Sequence, residues 1–112
     1  MKRLIPLLLL AGCSARPQAD LQYVKQARSI AAEWALLNQQ AEAHRLTGAY
    51  VSSMRGWLRD GLSTASSSLS DPDTAYGGEM RRLLAEPPDA APETLRAHAE
   101  ALKRIEDALE SA

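Results

Sequence analysis

Two histidines, one cysteine and a few spaced carboxylates are the side chains here with the most chemical reach. Imidazoles bind transition metals or titrate near neutrality. His44 and His98 fall on separate helical patterns, and antiparallel packing could bring them together. Neither has a strong ligand four residues on, and the spacing supplies no third ligand, so no metal centre is expected. Asp71, Asp73 and Glu79 offer oxygen ligands of the kind calcium takes. An EF-hand loop needs further oxygens at fixed spacing and a glycine at its turn, which are missing, so capping and loop roles are expected. The serines have no nucleophile elbow around them, and no His/Asp pair is set by a motif. Gly77-Gly78 alone is no phosphate loop. The chain reads as a non-enzyme with no cofactor.

The cysteine stands in a more telling place. Met1-Lys2-Arg3 is a short basic start, and Leu4-Ile5-Pro6-Leu7-Leu8-Leu9-Leu10 is an apolar run. Small residues then precede Cys13. This is the layout of a secretory signal, and the run is well short of the roughly 20 residues of a spanning helix. Leu10-Ala11-Gly12-Cys13 matches a lipobox at all four positions, and in this the chain resembles a bacterial lipoprotein precursor. The resemblance implies diacylglyceryl transfer to the Cys13 thiol, cleavage between Gly12 and Cys13, and acylation of the new amino terminus. It also implies lasting attachment to a membrane surface, since each buried methylene contributes about 0.8 kcal/mol. Ser14, in place of the Asp that favours inner-membrane retention in many Gram-negative lipoproteins, implies the outer membrane, facing the periplasm.

Composition narrows the remaining classes. The 112 residues allow one small domain. Basic and acidic side chains number 13 and 14, which leaves no broad basic footprint for nucleic acid. Loss of Lys2 and Arg3 on cleavage leaves 11 basic against 14 acidic groups, net −3. A single Cys excludes an internal disulfide framework and any multi-cysteine metal site. At 46% hydrophobic, the chain is too apolar to be wholly disordered.

The elements that must position these residues follow from periodicity. Residues 1–12 form the expected signal peptide, 13–19 a lipidated tether containing Pro17, and 20–112 a helical domain. Asp20 is the expected N-cap of the first helix. Tyr23, Ala27, Ile30, Trp34, Leu37, Ala41 and His44 make a heptad seam, widened by Val24, Ala31 and Ala35. Nothing breaks that helix before Leu46, and Gly48 suits the left-handed position after it. Val51, Met54, Leu58, Leu62, Ala65 and Leu69 form a second seam, with Gly61 permitting close approach and a weak tail at Ser63–Ser68. Asp71 is the expected cap of a short third helix, with Pro72 at its first position and Tyr76, Met80, Leu83 and Leu84 on its apolar side. The last helix opens at Pro92-Glu93 and carries Leu95, His98, Leu102, Ile105 and Leu109. With no strand-like alternation, the expected fold is all-α, a small antiparallel bundle of three main helices and one short one.

Surface candidates complete the reading. Arg55 and Arg59 lie four apart on the expected outer side of the second helix, and Arg81-Arg82 are adjacent on the short one. They suit either solvent or lipid phosphate. Trp34 is on a seam and belongs to the core. Trp57 stands beside its seam, which makes it, with Arg55 and Arg59, the candidate contact for a protein partner or a homo-oligomer. The function expected is a membrane-anchored envelope lipoprotein acting as a structural or interaction module. The alternatives are a small-molecule or metal-binding bundle, and a periplasmic enzyme accessory or inhibitor that presents a loop around Asp71–Gly78.

Overall fold

The computed structural model describes residues 16–112, with side chains from Gln18 onward. Four helices follow one another: α1 Arg16–Glu42, α2 Gly48–Ser67, α3 Ala75–Leu84 and α4 Pro92–Glu110. They account for 78% of the described residues, and no strand occurs among them. None of these helices is long and apolar enough to cross a membrane.

α1 is the spine, about 40 Å long at 1.5 Å per residue. Its heptad seam faces inward as the spacing predicts: Ala27, Ile30, Trp34 and Leu37 are buried, as are the flanking Val24, Ala31 and Ala35. α4 lies antiparallel along it. Lys25 meets Glu110 at 3.0 Å near one end, and Arg96 donates to Gln39 Oε1 at 3.1 Å near the other. α2 folds back on α1 after a short turn and buries Val51, Leu58, Leu62 and Ala65. α3 closes the bundle against α2 and α4 with Tyr76, Met80 and Leu83. Leu95 and Leu102 of α4 complete the core. The alanines let helices approach closely, and at Gly61 an added Cβ would sit 3.4 Å from Ile30 Cδ1.

Helix ends depart from the sequence expectations at three places. α1 begins at Arg16, inside the segment expected as tether, because Pro17 is tolerated in a first helical turn. Asp20 therefore sits within the helix and is no N-cap; its buried side chain reaches the α2–α3 connection instead. α1 ends at Glu42, and the left-handed residue after it is His44, at φ 56°. Gly48 has no positive φ and opens α2, behind an N-cap at Thr47 whose side chain accepts from Tyr50 N. The cap of α3 is Thr74, which accepts from Gly77 N, while Asp71 accepts from Asp73 N in a local turn. Pro72 stays outside the helix. α4 starts with Pro92 in its first turn, as the sequence indicates.

Candidate functional site

Three polar ties join the helices to the α2–α3 and α3–α4 connections, and the first and third consume side chains that the sequence leaves open for function. The first grips the α3–α4 connection. Trp34 Nε1 donates to Pro88 O at 2.9 Å, and Asn38 Nδ2 donates to Pro88 O and Ala90 O at 3.1 and 2.8 Å. Arg55 Nε donates to Asn38 Oδ1 at 3.0 Å. Arg59 donates to Glu86 O and Leu84 O at 2.8 and 3.2 Å, closing the end of α3, and its guanidinium lies 5.5 Å from the Trp34 ring centroid. Arg55 and Arg59 are thus half-buried and turned inward. This corrects their expected place on the outer side of α2 and leaves Trp57 alone of the three candidate contact residues on the surface.

The second tie is built on Asp20. Its carboxylate accepts from Ser70 N at 2.8 Å, Asp71 N at 3.3 Å and Tyr76 Oη at 2.7 Å. Burial pushes the carboxyl up, but these hydrogen bonds outweigh it and hold Asp20 below its ordinary value. Tyr76 is raised, by burial and by the same carboxylate.

The third tie is an imidazole between two carboxylates. His98 Nδ1 donates to Glu79 Oε2, and Nε2 donates to Glu86 Oε2 at 2.7 Å. A ring placed between two carboxylates is best satisfied with a proton on each nitrogen, so this geometry favours the imidazolium form of His98. Arg82 Nη2 adds a bond to Glu79 Oε1 at 2.9 Å. Burial alone would lower His98; the bonds to Glu79 and Glu86 reverse that and raise it. Burial likewise pushes Glu79 up, and His98 and Arg82 bring it below its usual range. With both nitrogens engaged, this ring has no free lone pair for a metal or a substrate proton. His44 is exposed in the turn after α1 and takes no part in the cluster.

Glu106, Asp107 and Glu110 form the one acidic group close enough to share a cation among the described residues. Basic side chains already meet it: Arg28 bonds Glu106, Lys25 meets Glu110, and Lys103 meets Asp107 at 3.0 Å. Asp71, Asp73 and Glu79 do not converge, since the first two form the turn and Glu79 faces His98. α3 runs through Gly77, so the Asp71–Gly78 segment is not the free loop that an inhibitor reading calls for.

Against this polar completeness, the apolar surface of the described residues is unfinished along one face. Every buried side-chain nitrogen and oxygen among the described residues has a hydrogen-bond partner. Among the described residues the large hydrophobics left exposed are Leu36, Tyr50 and Trp57, at 56%, 50% and 67% of their free surface. All three border the groove between α1 and α2. Two hollows of about 380 Å³ each lie along it, and Trp57, Leu58 and Glu33 line both. Ile30 and Gly61 floor one; Leu37, Leu46 and Met54 floor the other. The groove is open along its length and is no closed ligand cavity.

The groove was half visible in the sequence. Trp57 beside its seam pointed to it, but Leu36 and Tyr50 gained meaning only when α2 folded back on α1. The His98 cluster was missed. Its signal is Glu79 on the short helix and Glu86 just past that helix's end, with a histidine on a neighbouring seam to meet both. Gly12, Cys13 and Ser14 lie outside the described residues. No family model, curated protein or solved structure matches the chain.

Proposed function

We propose that this protein is a non-catalytic interaction module, tethered to the bacterial cell envelope through acylated Cys13, that offers the α1/α2 groove to a protein partner. The observation that carries the interaction reading is the convergence of Leu36, Tyr50 and Trp57 on one groove, in a molecule where every buried side-chain nitrogen and oxygen among the described residues is paired. Contiguous exposed apolar surface of this kind marks interaction sites. The anchoring reading rests on the lipobox residues Leu10-Ala11-Gly12-Cys13 and the basic, apolar segment before them. By the lipoprotein resemblance, Ser14 supports an outer-membrane position facing the periplasm. The non-catalytic reading is supported by the His98 ring, whose two nitrogens are spent on Glu79 and Glu86.

Two measurements test the two halves. Intact-mass analysis of membrane fractions is expected to show loss of residues 1–12 and acyl groups on Cys13; a soluble, unmodified chain overturns the anchoring. Gel filtration of the gently solubilised envelope is expected to show the protein in a complex that the Tyr50→Ala, Trp57→Ala double variant leaves. Identical elution of wild type and variant overturns the groove as the contact.

A further inference from the structure

The groove has a length, a floor and a charge, and together these describe its occupant. Its lining on α1 runs from Gln26 to Gln40, about 20 Å of helix at 1.5 Å per residue. That matches roughly four turns of a partner helix lying alongside. The floor is apolar, with Ile30, Leu37 and Leu58 beneath the exposed Trp57. An amphipathic helix presents a stripe of this width at i, i+3, i+4 and i+7.

Charge decides between kinds of occupant. The charged groups that line the groove are Glu33 and Asp60, both acidic. The arginines of α2 bring no compensation, since Arg55 and Arg59 are turned inward to Asn38 and to the end of α3. A second copy docked isologously would bring four carboxylates to one seam with no cation among its lining residues. An anionic lipid surface would meet the same two carboxylates. Cationic flanks on a partner helix are what this rim complements.

We infer that the α1/α2 groove receives a basic amphipathic helix of a partner protein, with its apolar stripe on Trp57 and its Lys or Arg flanks against Glu33 and Asp60. This inference rests on the groove being a partner surface, and adds the chemistry of the partner.

The test uses the full chain as recovered from the envelope, held in neutral phosphatidylcholine nanodiscs, with empty nanodiscs as blank. Three fluorescently labelled 16-residue peptides are titrated by anisotropy: an amphipathic Leu/Lys helix, the same helix with Glu for Lys, and a scrambled Leu/Lys sequence. The Leu/Lys helix is expected to bind roughly tenfold tighter than either of the others. Trp57→Ala is expected to abolish that binding, and the Glu33→Lys, Asp60→Lys double variant to reverse the preference toward the Leu/Glu helix. These rim side chains are exposed, and circular dichroism checks that the fold is kept. Equal binding of the peptides, tighter binding of the Leu/Glu helix, no binding, or binding indifferent to Trp57→Ala overturns the inference. So does a Trp57-dependent dimer of the protein alone, or a Trp57 emission shift on adding phosphatidylglycerol to the discs. A Leu/Glu preference that Trp57→Ala removes would leave the groove reading standing and refute only the basic partner. Absence of all binding, together with unchanged elution of the envelope complex in the double variant, removes both.

Discussion

His98 is the residue whose environment makes the sharpest demand on solution conditions. Its value is raised above the ordinary 6.5, so its contribution is full below about pH 6.5 and is lost as pH rises through the folded-state value. Glu79 is lowered from 4.5 and Asp20 from 3.8, so theirs are full above those values and lost as pH falls through the folded-state ones. Urea unfolding across pH is therefore expected to give greatest stability between about pH 4.5 and 6.5, with a decline on the alkaline side. His98→Gln should remove that decline; a wild-type curve rising from pH 6 to 9 would contradict the imidazolium. At the other tie, Tyr76→Phe strips one donor from a buried carboxylate. It should cost about 1.5–3 kcal/mol, measured as a lower urea midpoint with unchanged slope.

At the scale of elements, the sharpest constraint is the entry of α3. A Cβ added at Gly77 would lie 2.2 Å from Pro72 O, which is backbone and cannot swing aside. Gly77→Ala is expected to destabilise by more than about 2 kcal/mol, whereas Gly56→Ala, with open space around it, should stabilise α2 by roughly 0.5–1 kcal/mol. Thermal unfolding of the two variants in opposite directions is the check. The elements themselves were legible because burial on a helix follows spacing, and the seams through Ala27–Leu37, Leu58–Ala65 and Leu95–Leu102 all turned inward. Their ends were less legible because caps depend on long-range partners. Asp20 looks like a cap until Ser70 and Tyr76 arrive from residues fifty or more positions away. Arg55 and Arg59 look solvated until Asn38 of α1 meets the first and Glu86 O of the α3–α4 connection meets the second. Periodicity reports which face a residue is on, but not which polar group will meet it there.

Across the whole molecule, stability and surface chemistry are assigned to different faces. Trp34 is fully buried and hydrogen-bonded, while Trp57 is two-thirds exposed. Trp34→Ala should cost about 3–5 kcal/mol of unfolding free energy, and Trp57→Ala no more than about 0.5 kcal/mol. A large loss from Trp57→Ala would make it part of the core and remove it as a contact. The measurement that bears most directly on the account is photo-crosslinking in the native envelope. A photoreactive residue is placed at Trp57, and a control at the exposed Glu100 of α4. The account predicts a discrete protein adduct from position 57 and none from position 100. No adduct from 57, or the same adducts from both positions, would contradict it.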